Sequence, residues 1–172
     1  AYVDFGAESA LPLVRKYENV LVVQTFSKSR SMAGMRIGFC IGSEALISCL
    51  NNAKYSFNSY TMNRLTLKLG AASVKDEAYF RTVTEKIAET REWSKRELSR
   101  LGFVFGDSRA NFIFAAHRTV PAKKIFRALR EHHIYVRYFD KPRIDNYLRI
   151  TIGTREQMQK LFDFLKDYLA GA

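Results

Sequence analysis

The chain has 172 residues, 47% of them hydrophobic and 13% aromatic, which is enough apolar side chain for one full core or two small packed units. That composition excludes intrinsic disorder, and no apolar run reaches membrane-span length or follows the charged–apolar–small order of a leader peptide. The net charge of +11 leaves two readings open: a basic module that contacts nucleic-acid phosphates, or part of a larger protein whose cations serve anionic substrates.

Along the chain, Ala1 to Phe5 reads as the end of a strand and Glu8 to Tyr17 as a helix. Asn19 to Phe26 contains the run Val20-Leu21-Val22-Val23, expected for a strand buried on both faces of a parallel sheet. Met35 to Gly42 reads as a second strand, followed by helices over about 44–53 and 62–72. A long helix is predicted over 76–101, with Phe80, Val83 and Ile87 at helical spacing and Gly102 as its stop. Strands follow at 103–105 and 111–115, then a helix over 121–132, then strands at 134–138 and 147–152. The last helix opens with Thr154 and Gln157 in capping-box spacing and carries the stripe Met158, Leu161, Phe162, Leu165 and Leu169. The order is α/β in the first part and a small α+β unit in the second. The expected divisions are 1–75, a connecting helix over 76–101, and 102–172.

The Lys and Arg residues are spread along polar helix faces, as at Lys95-Arg96 and Lys123-Lys124, with no basic block interleaved with aromatics. Nucleic acid is therefore not the expected partner. Cys40 and Cys49 stand in apolar segments without metal-ligand spacing, so no metal is expected, and reduced core thiols in a cytoplasmic protein account for them. His132 and His133 are adjacent at a helix end and diverge, while His117 has no visible partner. Asn111 reads as a turn or edge residue and Trp93 as packing; Glu44 and Asp107 lack a paired carboxylate.

The informative stretch runs from Thr25 to Gly38, where an apolar strand ends in a turn of small polar residues. In open α/β sheets ligands bind at the carboxyl ends of strands. Lys28, beside hydroxyls and two arginines, could hold a phosphate as a point charge or act as an amine nucleophile toward a carbonyl. The hydroxyls of Thr25 and Ser27 and the guanidinium of Arg36 suit a phosphate nearby. A basic surface turn is equally compatible with these residues taken alone.

This stretch resembles the cofactor-lysine segment of fold-type I pyridoxal-phosphate (PLP) enzymes. In those a hydroxyl residue stands three before the lysine and a phosphate-binding arginine eight after it, as Thr25 and Arg36 stand around Lys28. Ser27 matches the serine that often precedes the lysine. The closer resemblance is to the histidinol-phosphate aminotransferases, through Thr25-Phe26-Ser27-Lys28 and Ala33-Gly34-Met35-Arg36-Ile37-Gly38-Phe39. Ala1-Tyr2 resembles the end of the family's Asp-Glu-Ala-Tyr segment, which implies that Tyr2 donates to the cofactor's ring oxygen. Residues 146–154, Asn-Tyr-Leu-Arg-Ile-Thr-Ile-Gly-Thr, are similar to the segment whose arginine binds the substrate's anionic group, here Arg149. Period-2 alternation agrees, since Leu148, Ile150 and Ile152 share one face and Arg149 and Thr151 the other. Arg137 matches a second substrate-binding arginine.

The resemblance implies a partial PLP-binding large domain joined by the long helix to a small C-terminal domain. It further implies an amino-group exchange between histidinol phosphate and 2-oxoglutarate or glutamate, in histidine biosynthesis, by a cytoplasmic homodimer. The aspartate that pairs with the pyridine nitrogen would fall just before residue 1. The chain is thus expected to be a C-terminal half that neither binds PLP tightly nor transaminates alone. An aromatic aminotransferase or a phosphothreonine decarboxylase would share the lysine segment. A basic phosphate- or nucleic-acid-binding module would instead use Lys28, Arg30 and Arg36 without covalent chemistry.

Overall fold

A computed structural model describes residues 1–171. The chain divides into two compact units, the first spanning Ala1–Thr84 and the second beginning at Glu85. The division falls inside one continuous helix, so the 1–75, 76–101 and 102–172 partition is a boundary proposal about that helix.

The first unit starts with a 3-10 turn over Val3–Phe5, closed by Gly6 in the left-handed region at φ 102°. The strand expected over Ala1 to Phe5 is absent, because Phe5 and Gly6 fold their amides back onto Tyr2 and Val3. The helix expected over Glu8 to Tyr17 shrinks to α1, Leu11–Val14. Ser9 Oγ accepts the Leu11 amide at 3.1 Å, and Pro12 favours a start there, so the helix cannot extend back to Glu8.

Strands β1 (Val22–Thr25) and β2 (Gly38–Ile41) form an antiparallel pair, with Val22 opposite Ile41 and Thr25 opposite Gly38. This corrects the parallel, doubly buried strand: Val23 is 66% exposed, and β2 is the only strand beside β1 among the described residues. A Val-rich run shows that each residue tolerates burial, whereas cover on both faces depends on a second layer. β2 begins at Gly38 instead of Met35 because Ala33–Met35 is a 3-10 turn and Arg36 is left-handed at φ 55°.

Helix α2 covers Glu44–Phe57, starting at Ser43, whose hydroxyl accepts the Leu46 amide. It buries none of its residues, so Cys49 is exposed and Cys40 on β2 only half-buried. The expectation of two core thiols is thereby corrected. Helix α3 covers Arg64–Lys75 behind an Asn63 cap that accepts the Thr66 amide at 2.8 Å. Helix α4, Glu77–Arg100, follows after Asp76 and ends where Gly102 takes φ 83°.

In the second unit β3 (Phe103–Phe105), β4 (Phe112–His117), β5 (Arg137–Tyr138) and β6 (Leu148–Thr151) form an antiparallel sheet in the order β3-β4-β6-β5. Period-2 alternation turns Ile113, Ala115, Leu148 and Ile150 inward, where all are essentially buried. Leu98 of α4 joins them, as do Ile125 and Leu129 of α5 (Ala122–Glu131). The cluster is completed by Met158, Leu161, Phe162 and Leu165 of α6 (Arg155–Ala170). Each of the Leu, Ile, Met and Phe side chains contributes roughly 1.5–3 kcal/mol through removal from water. Thr154 and Gln157 form the predicted capping box. β5 is shorter than expected because the chain leaves α5 through left-handed His133, and the Ile134 amide folds back onto Leu129.

Candidate functional site

Thr25 ends β1, and the next seven residues form a turn closed by backbone bonds. The Phe26 amide reaches Ile37 O at 3.1 Å, Met32 returns to Phe26 O at 3.1 Å, and Ser31 bonds Lys28 O at 3.1 Å. Phe26 is buried beneath, so the turn's tip faces outward and Lys28 is exposed. Thr25 Oγ1 accepts the Ser27 amide at 3.1 Å and donates to Ser27 Oγ at 2.8 Å. The two hydroxyls therefore lie in contact immediately before the lysine. Lys28 makes no ion pair or side-chain hydrogen bond among the described residues.

Arg36 enters the same neighbourhood from the other strand, one residue before the Ile37 carbonyl that holds Phe26. Its guanidinium donates to Ala33 O at 2.9 Å and is otherwise exposed. The left-handed backbone at Arg36 and at Ser31, φ 54°, costs an L-residue about 1 kcal/mol each. Tyr2 sits at the N-cap of the first 3-10 turn, and two residues on Asp4 accepts a hydrogen bond from Ser29 Oγ at 2.5 Å. The structure thus places Thr25, Ser27 and Lys28 together, sets Arg36 next to the Ile37 carbonyl that accepts from Thr25 Oγ1 and the Phe26 amide, and links the Tyr2 turn to the lysine turn through Ser29.

Arg30 does something else. Its guanidinium lies 4.1 Å from the Phe80 ring centroid and 5.5 Å from that of Phe26, and Nη1 donates to Ser73 O at 2.6 Å. It packs the turn against α3 and the start of α4. The reading that made Arg30 an open phosphate contact is corrected on that ground.

In the second unit Arg137 and Arg149 are direct cross-strand partners, and Phe114 stands opposite Arg149 on its other side. All three therefore project from the face away from the core. The guanidinium of Arg149 lies 5.5 Å from the Phe112 ring centroid and that of Arg137 5.3 Å from Phe139. Phe114 stacks on Tyr147 at 4.8 Å. The Arg149 Nε is buried without a hydrogen-bond partner, and no carboxylate pairs with either arginine among the described residues. Two like charges directly opposite each other repel, so a bound anion would relieve both the repulsion and the orphaned donor.

The aromatic floor of Phe112, Phe114, Phe139 and Tyr147 escaped the sequence reading. Its signal was available: Phe112 and Phe114 alternate with the buried Ile113 and Ala115. Beside it lies an open cavity of about 520 Å³ lined by Ser108, Phe112, Phe114, Arg143 and Tyr147 among others.

Other candidates resolve into structure. His117 is fully engaged, contrary to expectation: Nε2 lies 2.9 Å from Leu101 O, and Nδ1 accepts the Val120 amide at 3.0 Å. No partner was visible because Leu101 and Val120 meet it through backbone atoms. His132 bonds the Ala128 carbonyl, and no group of three metal-ligating side chains occurs among the described residues. The Asn111 carbonyl accepts the Ile152 amide at the ladder's edge. Trp93 packs edge-on against Phe162 at 5.0 Å. Asp107 pairs with Lys95 at 2.7 Å and Arg109 at 3.2 Å, and the Lys95 hydrogen bond foremost holds its carboxyl below the usual range. Desolvation pushes Glu92 upward, but hydrogen bonds from Lys95 and Arg91 outweigh it and leave that carboxyl lowered too. No helix is long and apolar enough to cross a membrane among the described residues.

Comparison with known proteins bears on these geometries together. The family described as aminotransferase class I and II matches residues 1–165. The chain is 53% identical over 169 residues to a histidinol-phosphate aminotransferase of Lactococcus lactis, covering 98% of this chain and 47% of that relative. The chain therefore spans about half the length of the curated relatives it matches. Among solved structures, the histidinol-phosphate aminotransferase of Clostridium acetobutylicum superposes with a TM-score of 0.89 at 20% identity, over all of this chain and 53% of its own. That of Sinorhizobium meliloti, solved in complex with pyridoxal-5'-phosphate, gives a TM-score of 0.82 at 24% identity, over 99% and 47%. At these identities the likeness shows the fold.

Proposed function

Because this chain belongs to the class I and II aminotransferases, we propose that it supplies the lysine side of a PLP site. The whole protein would exchange an amino group between histidinol phosphate and 2-oxoglutarate. The observation that carries this reading is the turn after β1. It displays an exposed Lys28 directly after two touching hydroxyls, with an exposed Arg36 eight residues on at the start of the returning strand, and Asp4 accepts from Ser29, the residue after the lysine. A set of donors with no free carboxylate fits a phosphorylated aldehyde.

In this reading the Thr25 and Ser27 hydroxyls and Arg36 hold the cofactor's phosphate, and Tyr2 donates to its ring oxygen. When bound, the cofactor would supply the electron sink that makes the proton on the substrate's amine-bearing carbon removable. Lys28 Nζ would hold the cofactor and, once the substrate's amine has displaced it, would be free as an amine to take the proton from that carbon and return it one step later. Arg137 and Arg149 take the substrate's phosphate or carboxylate, a task for which the planar guanidinium fork suits arginine better than lysine. The relatives' names support histidinol phosphate as substrate. The same reading makes the whole protein a cytoplasmic homodimer.

Borohydride trapping tests the lysine. With added PLP, the reduced pyridoxyl label should concentrate on Lys28 and vanish in Lys28→Ala; label spread evenly over exposed lysines would reject the site. Turnover is assayed on the full-length protein with histidinol phosphate and 2-oxoglutarate. Carbon dioxide release from phosphothreonine would reassign it as a decarboxylase. The chain by itself is expected to be labelled weakly and not to turn over.

A further inference from the structure

We infer that Asp4 and Ser29 are positioning residues whose hydrogen bond fixes the turn bearing Tyr2 against the turn presenting Lys28. The inference rests on the proposed role of Lys28. Ser29 follows the lysine directly and is only 4% exposed. A hydroxyl so placed is costly unless bonded, and Asp4 Oδ2 accepts from it at 2.5 Å. The acceptor is a carboxylate, which makes the bond roughly twice as strong as a neutral one.

The two residues lie 25 apart in sequence, so the bond ties separate segments together. The 3-10 turn of Val3–Phe5 is three residues long, and Asp4 is its central residue. Phe5, 1% exposed, seats the turn in the interior of the first unit. Asp4 adds a side-chain tie to the lysine turn and so bears on where Tyr2, two residues earlier, is carried. On the other side, Lys28 has no side-chain partner among the described residues, and the orientation of its turn sets where its amine begins. Ser29 is the buried side chain adjoining it. Asp4 is not the lysine's counter-ion, since no ion pair joins them and its bonded oxygen is turned to Ser29.

Amide exchange of the chain as it stands tests the tie without cofactor. The Gly6 and Ala7 amides, both bonded to Val3 O, report the first turn; Ser31 and Met32 report the lysine turn. Asp4→Ala should speed exchange at Ser31 and Met32, and Ser29→Ala at Gly6 and Ala7, each about tenfold, with the double variant no faster than either single one. Asp4→Asn, whose amide oxygen still accepts, should stay within about threefold of the unaltered chain. Amides of β4 and α6 serve as the folding control. Should Asp4→Ala loosen all of residues 1–84, Ser29→Cys, similar in size but a weak donor, gives the reading in its place. Variants that loosen only their own turn overturn the tie.

Borohydride trapping with PLP on the full-length protein is the second arm, scored as label on Lys28 relative to Lys68 and Lys75. That ratio should fall severalfold in Asp4→Ala and be restored in Asp4→Asn. Coupled exchange with an unchanged ratio would make the bond merely structural and overturn the positioning role. A ratio near one in the unaltered full-length protein would instead sink the proposed lysine function, while the exchange arm still decides whether the two turns are tied.

Discussion

Replacing Arg30 with alanine tests how the lysine turn is held, and the structure sets the size of the effect. The guanidinium donates to Ser73 O at 2.6 Å, in the last turn of α3, where carbonyls lack helical partners and carry partial negative charge. A hydrogen bond from a charged donor contributes about 1.5–3 kcal/mol, and partial exposure puts this one toward the lower end. Stacking on Phe80 at 4.1 Å adds roughly 0.5–1 kcal/mol. The loss of about 2–3 kcal/mol corresponds to roughly 30- to 150-fold faster local opening, at tenfold per 1.4 kcal/mol. Amide exchange across residues 26–32 and 73–80 reads it, with the β4–β6 ladder as control. Arg30→Lys should recover less than half, because an ammonium cannot stack as a plane. A change below threefold, or equal loosening of the second unit, would refute the account.

Two more outcomes follow from the second unit. Arg149→Leu should weaken binding of inorganic phosphate, read from NMR shifts of Phe114 and Tyr147, at least tenfold. It should not lower thermal stability, because the charge opposite Arg137 is removed; unchanged phosphate affinity would reject the anion site. The depressed carboxyls of Glu92 and Asp107 contribute stability that is present above their unfolded values of 4.5 and 3.8. That stability is lost as pH falls through the lower folded values, so acid unfolding of the second unit should steepen below about pH 4. Lys95→Met should flatten that slope, and an unaltered profile would show that the ion pairs carry no net stability.

The second unit was the more legible from sequence because its elements bury their own faces. Ile113, Leu148 and Ile150 alternate, α6 carries its stripe and capping box, and Gly102 stops α4 where a left-handed residue is needed. In the first unit the same rules misled. Val20 to Val23 advertised burial that β1 meets on one side only, and Cys49 sits on a helix with no buried residue. Residue types report what a side chain tolerates, while cover depends on neighbouring layers. The spacing of Thr25, Lys28 and Arg36 was open to sequence reading because all three lie along one hairpin, while their roles remain a proposal. The Asp4–Ser29 bond and the Arg30 stack were not, since both join distant segments through side chains common on any surface.

The β1–β2 hairpin has one further consequence, for handling the protein. Val23, Phe39 and Ile41 are exposed, and the outer edge of each strand is unpaired among the described residues. Open edges lined with apolar side chains template strand addition by another copy. Against this stands the net charge of +11, which holds copies apart. Salt shortens that repulsion to a Debye length of about 8 Å at physiological strength and about 3 Å at 1 M. Concentrated salt therefore removes the chain's main protection against edge-to-edge aggregation, and dilute buffer preserves it.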